Sequence, residues 1–289
     1  MTASATLIIS TPLRFGTGAV KEEQHLWAAD SGCCGEWVWA YITRIGKRHS
    51  TAGGVCEDAA GVRVDEVALR GGIHLALADG VSGGARGDIA AAALVRHCLH
   101  WSPEHSIPLT GWIGDAAEIT VRRALAASTP EPGAATLAAA WLGPDGSGML
   151  NRVGDCRAYA WQAPASSGGA VQARQLLPDQ TMAYMGYASP LSPKAYQPAH
   201  MVGNRSTGTP ELLPVNVPPG SGLLLCSDGL HNIIDSAELA RRMAALYAEG
   251  RLSGEPSQFE SVCLDLVEHA QGLGSDDDVS VLLVARSRH

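Results

Sequence analysis

The chain is 289 residues long and carries 29 acidic against 21 basic side chains, a formal net charge of −8 that argues against a nucleic-acid-binding surface. An apolar fraction of 46% with only 17% charged residues supplies a large core and excludes disorder or a coiled coil as the dominant state. No apolar run approaches the ~18 residues of a membrane span, and residues 1–10 lack the pattern of a secretory leader, so a cytoplasmic location is expected.

In chain order, residues 1–35 show no period and read as an irregular N-terminal extension, followed by one large domain over 36–289. Residues 37–45 are rich in β-branched and aromatic side chains and predict a strand. Trp37 and Trp39, two apart, share one face of it and are expected to pack. A polar, glycine-containing stretch over 49–58 leads to an apolar strand over 72–78 that stops at Asp79-Gly80. Gly83 and Gly84 with Arg86 suggest either a phosphate cradle or simply a helix start. Apolar spacing then predicts two helices, 88–101 and 110–127.

Strands follow over 135–142, 148–153, 157–162 and 171–176, antiparallel because their connections are too short for helical crossovers. Residues 178–219, rich in Pro, Gly, Ser, Tyr and Met, read as a long surface excursion. In it Met182, Tyr184, Met185 and Tyr187 either line a substrate flap or cover a sheet edge. A buried strand over 222–227, helices over 236–247 and 256–271, and a strand over 279–284 complete the chain. The seven cysteines are odd in number and lack C-x-x-C spacing, which fits neither a disulfide framework nor a thiolate zinc site. Cys98, Cys156 and Cys226 read as small, reduced, buried side chains.

Three short apolar strands abut acids: Asp79-Gly80 after the first, Asp228-Gly229 after the second, and Asp276-Asp-Asp278 before the third. An Asp-Gly pair is common turn chemistry, but three such junctions hold carboxylates rigidly side by side. Converging carboxylates repel one another unless a cation lies between them, and Mg²⁺ or Mn²⁺ favours such hard oxygen ligands.

These segments together carry a resemblance. Ala78-Asp-Gly-Val-Ser-Gly-Gly84 resembles A-D-G-M-G-G, Val153-Gly-Asp-Cys-Arg-Ala-Tyr159 resembles G-D-S-R-x-Y, Leu225-Cys-Ser-Asp-Gly-Leu230 matches L-x-S-D-G-L, and Asp277-Asp-Val-Ser-Val281 is similar to D-N-x-T-V. Gly133-Ala-Ala-Thr136 looks like a Gly-Thr-Thr strand opening, and residues 49–58 resemble H-x-x-x-G-x-x-C-Q-D. In this order and spacing, across about 45–286, they are similar to the PP2C-type (PPM) metal-dependent protein serine/threonine phosphatases, in a bacterial branch.

The resemblance implies an α+β fold, a four-layer α/β/β/α sandwich of two antiparallel sheets flanked by helices, with two Mn²⁺ or Mg²⁺ ions at one end. By matched motif, Asp79 would bridge both ions. The Gly80 carbonyl and Glu57, directly or through water, would serve one ion, and Asp228 with Asp277 the other; Asp58 would act through water or a neighbouring ligand. Asp155 either helps Asp228 hold a third, weaker ion or is a strand-turn aspartate. Arg48 and Arg44 are candidates for the substrate phosphate, set against the reading of solvated arginines. His49 is a third, set against a hydrogen-bonded structural histidine. Adjacent strand residues face opposite ways, so only one of Asp277 and Asp278 should face the ions. With Asp277 as that ligand, Asp278→Asn is expected to be nearly neutral.

The implied activity is hydrolysis of phosphoserine and phosphothreonine in a protein by direct attack of a metal-bridging hydroxide, with no phosphoenzyme. Cys156-Arg157 lacks the C-x₅-R spacing of a cysteine-based phosphatase. Val81 stands where animal relatives carry a candidate acid histidine, so no group is assigned to protonate the leaving alcohol. Two other readings compete: a regulatory binding module that keeps the fold without the chemistry, and a hydrolase of small phosphorylated metabolites. The expected partner is a phosphorylated protein, with no nucleic acid and no membrane span.

Overall fold

The computed structural model describes residues 6–9, 27–64, 72–81, 86–101, 112–162, 170–203, 208, 210–248 and 251–287. Its strands are β1 (Thr6–Ile9), β2 (Trp27–Cys34), β3 (Trp37–Arg44), β4 (Ala59–Val64), β5 (Ile73–Gly80), β6 (Ala135–Leu142), β7 (Ser147–Val153), β8 (Arg157–Gln162), β9 (Gln172–Gln175), β10 (Glu211–Asn216), β11 (Ser221–Cys226) and β14 (Val279–Arg286). A separate small hairpin joins β12 (Tyr247–Ala248) to β13 (Arg251–Leu252). Two six-stranded antiparallel sheets result, one in the order β1-β4-β5-β6-β7-β10 and the other β2-β3-β14-β11-β8-β9.

The alternation of side chains explains why the sheets lie face to face. On β3, Trp37, Trp39 and Tyr41 point between the sheets and meet Leu75 and Leu77 of β5 and Leu223 and Leu225 of β11. Val38, Ala40 and Ile42 point the other way, onto the outer helical layer. Both tryptophans are thus core packing, as expected from their spacing.

The helices cover the outer faces. α1 (Lys47–Thr51) is a single exposed turn. α2 (Gly87–Leu99) lays Ala90, Ala91 and Leu94 on the outer face of β5 and β6, joined by α3 (Ala117–Ser128), which follows a π-helical turn at Trp112–Ala116. On the opposite side lie the short α4 (Asp228–His231), α5 (Ser236–Met243) and α6 (Pro256–Gly272). Asp235 caps α5 by accepting from the Glu238 N–H at 2.8 Å, and Pro256 starts α6, where its missing N–H costs nothing. The expected four-layer α/β/β/α sandwich is therefore the observed architecture.

Two expectations need correction, and one strand was not anticipated. Residues 27–34, read as irregular, form β2 and pair with β3 along their whole length; Asp, Ser, Gly and Cys give that strand little intrinsic signal. Residues 211–216, assigned to a surface excursion, form β10, an edge strand on β7. Pro214 masks it in sequence, and an edge is where a sheet tolerates proline. Ala59–Val64, left without assignment, is β4. The Gly83-Gly84 segment lies outside the described residues, and Arg86 makes a two-point pair with Asp88 at 2.7 and 2.8 Å rather than an open cradle.

Candidate metal centre

Strand ends at one edge of the sandwich assemble the site. Asp79 and Gly80 close β5, Asp228 opens α4 just after β11, Asp277 precedes β14, and Asp155 lies in the tight connection between β7 and β8. Asp79, Asp155, Asp228 and Asp277 line one cleft of about 410 Å³ together with Arg48. Pro193, Tyr196, Gln197, Pro198 and Met201 form its outer wall. That wall belongs to the predicted excursion, but Met182, Tyr184, Met185 and Tyr187 are not among the lining residues; Tyr184 and Tyr187 are exposed.

Gly80 is required by the approach of two backbones. A Cβ there would stand 2.5 Å from the Gly87 carbonyl carbon and 2.6 Å from the Glu57 carbonyl oxygen. The Gly80 N–H donates to that same Glu57 carbonyl at 3.1 Å, so the end of β5 is pinned to the segment leading into β4.

The electrostatics are those of crowded acids. Burial, then Asp58, Asp228, Asp155 and Asp277, push the Asp79 carboxyl well above the usual carboxylate range. Asp155 is raised to about 7 by burial and then Asp228; Asp228 is raised to about 6 by burial and then Asp277. Asp58 is 1% exposed, and its carboxyl is raised by burial and then Asp278. Its Oδ2 is buried without a hydrogen-bond partner. Among the described residues no three His, Cys, Asp or Glu side chains stand in ready ligating geometry; the acids ring the cleft instead.

Asp277 and Asp278 face apart, as their adjacency requires. Asp277 lines the cleft and takes the Arg48 Nη2 at 2.6 Å. Asp278 is 3% exposed and accepts from the Gly46 N–H at 2.7 Å and the Glu57 N–H at 2.6 Å, with His49 Nδ1 at 2.9 Å. The expectation that Asp278→Asn is nearly neutral is therefore corrected. An amide has one acceptor oxygen where two backbone N–H groups require two, so the substitution leaves a buried donor facing a donor.

The remaining candidates separate clearly. His49 sits between Asp278 and Glu57, whose Oε2 lies 3.5 Å from its Nε2, and it lines no part of the cleft. Its pKa is raised, chiefly by the hydrogen bond to Asp278. Glu57 turns toward His49 and is not among the lining residues, whereas Asp58 joins the electrostatic cluster around Asp79. Arg44 pairs at 3.8 Å with Glu268 of α6, away from the cleft. Asn232, unremarked in the sequence, lines the cleft and donates to Asp228 Oδ2 at 3.3 Å. Its spacing of four from Asp228 was the available signal.

Comparison with known proteins follows the same geometry. The serine/threonine phosphatase PstP/Ppp of Mycobacterium tuberculosis has the same fold, with a TM-score of 0.62 at 21% identity over 87% of this chain and 99% of its own. The S. agalactiae serine/threonine phosphatase gives 0.64 at 20%, over 86% and 99%. PppA, described as a key regulatory component of T6SS in Pseudomonas aeruginosa, gives 0.60 at 21%, over 86% and 97%. No curated protein matches this chain in sequence. The sequence profile of the family described as Protein phosphatase 2C matches residues 45–256, more than two thirds of the length, and on that match the chain belongs to the protein phosphatase 2C family.

Proposed function

We propose that this chain hydrolyses phosphoserine and phosphothreonine in protein substrates, with divalent cations held by Asp79, Asp228 and Asp277, and with Asp58 and Asp155 completing the acidic ring. The observation that carries this reading is the convergence of carboxylates from both sheets on one cleft that also holds an arginine. Two features fit Mn²⁺ or Mg²⁺ there: every donor is a hard carboxylate oxygen, and Asp58 Oδ2 is buried unpaired. Two such ions, with a third near Asp155 and Asp228, are the occupancy proposed for this acidic ring. Cations in this position supply an activated water nucleophile and neutralise phosphate oxygens.

The chain's own residues do the rest. Arg48, within the cleft and paired with Asp277, is the group we assign to the phosphate oxygens of the substrate. The wall from Pro193 to Met201 bears on whatever flanks the phosphorylated residue. Cys156 is fully buried beside the Thr136 hydroxyl at 3.2 Å, and burial raises its thiol pKa, which argues against a thiolate nucleophile. Glu57 and His49, joined to Asp278, support the helical turn α1 that carries Arg48. Among the described residues no helix is long and apolar enough to cross a membrane. The substrate we infer from the family is a phosphoprotein, met in the cytoplasm. The test is turnover of p-nitrophenyl phosphate and a phosphothreonine peptide with Mn²⁺ and then with EDTA. Turnover that needs the metal is expected; turnover indifferent to EDTA would sink the reading.

A further inference from the structure

The excursion that carries the outer wall of the cleft, residues 181–201, leaves the body of the protein at Gln180 and is tied back to it at Ala199. Several bonds meet on this residue, which is only 2% exposed. Its N–H donates to the Gly154 carbonyl at 3.0 Å, its side-chain Oε1 accepts from the Gly154 N–H at 2.8 Å, and its carbonyl accepts from the Ala199 N–H at 2.8 Å, where the wall returns. Gly154 opens the turn that carries Asp155. With φ +92, it has its would-be Cβ position hemmed in by Thr136 at 2.5 Å and the His200 carbonyl at 2.9 Å.

The same turn is fastened on both sides of Gln180's grip. His231 Nε2–H donates to the Asp155 carbonyl at 3.0 Å, and Arg157 is held by Asp179, next to Gln180, through contacts of 2.7, 2.9 and 3.0 Å. A displacement of the wall about its neck therefore pulls on the Gly154 peptide, and through it on an acid at the cleft floor.

We propose that Gln180 is a positioning residue that couples the outer wall of the cleft to the Asp155 turn, so that engagement of a protein substrate by the wall sets the geometry at the floor. This rests on the phosphatase reading above. A small phosphate ester that does not reach the wall should depend on the coupling far less than a phosphopeptide.

Gln180→Met keeps length and volume but removes the acceptor, and Gln180→Glu restores a carbonyl oxygen. Amide hydrogen exchange on the metal-free protein should quicken by about tenfold in Gln180→Met at 154–157 and 181–201 together, leaving β11 and β14 unchanged. With Mn²⁺, kcat/KM for a phosphothreonine peptide should fall about tenfold further than for p-nitrophenyl phosphate, and Gln180→Glu should recover most of the difference. Exchange that quickens at Gly154 alone, or throughout the protein with equal losses on both substrates, overturns the coupling. If wild type turns over neither substrate, the phosphatase reading falls, and the exchange pattern alone still decides whether Gln180 couples wall and turn.

Discussion

Substituting Asp79 by Asn should move activity and stability in opposite directions. Asp79 is crowded by Asp58, Asp228, Asp155 and Asp277, and its carboxyl is pushed upward as a result. Asp79→Asn removes one charge from that group, so the EDTA-treated variant should melt at or above the wild-type temperature at pH 7.5 while turnover with Mn²⁺ disappears. A variant that melts well below wild type would show that the Asp79 charge is not under repulsion. The pair that follows behaves differently. Asp277→Asn should raise the Mn²⁺ concentration for half activity with little change in melting, because its carboxylate meets the cleft and Arg48. Asp278→Asn should cost about 1–3 kcal/mol of stability by stranding a buried N–H. Metal-titrated activity and melting curves on both variants separate the two roles, and equal behaviour would contradict the observed register.

At the scale of elements, the N-terminal strand gives the sharpest prediction. β2 pairs with β3 over eight residues, and Ala29 packs on the outer core of that sheet. A chain beginning at residue 36 should melt about 5 °C or more below one beginning at residue 11, which already lacks β1, and no difference would mean that β3 needs no partner on that side. That strand was illegible because it is held by its neighbour rather than by its own composition. β5, β6, β8 and β14 were legible because apolar runs of strand length ended at turn residues or acids. The same property exposed Asp79 and Asp228, whereas the choice between Asp277 and Asp278 needed to know which backbone amides stand behind the strand. The role of Gln180 depends on contacts made by the fold, and no local pattern announces it, whereas Asn232 is signalled only by its spacing of four from Asp228. Glu57 and Asp58 were legible as an acidic pair, but not which of them turns to His49.

For the whole molecule, the cleft acids make stability depend on pH with a definable sign. Carboxyls such as Asp155, at about 7, and Asp228, at about 6, bind protons in the native state more tightly than in the unfolded chain. Stability of the metal-free protein should therefore rise as pH falls from 8 toward 6. His231, lowered to about 4 mainly by burial, acts in the opposite sense: its contribution is present above the unfolded value near 6.5 and is lost below it. Melting in EDTA should therefore be higher at pH 6 than at pH 8, and a higher melting temperature at pH 8 than at pH 6 would refute the acid coupling. Saturating Mn²⁺, at about 100 times its Kd, should add about 2.7 kcal/mol at pH 8 and flatten the acid-side gain. The two sheets also share this load mechanically. Asp58 and Asp79 belong to one plate, Asp228 and Asp277 to the other, and at the far end Arg286 of β14 reaches Glu36 at 2.5 Å and the Asp145 carbonyl at 2.5 Å. The sandwich is thus clasped at both ends with its apolar filling between, so the gap between the plates tunes the jaws that grip the cations. Thinning that filling with Leu75→Ala, about 13 Å along β5 from Asp79, should shift the Mn²⁺ midpoint severalfold although no ligand has been touched.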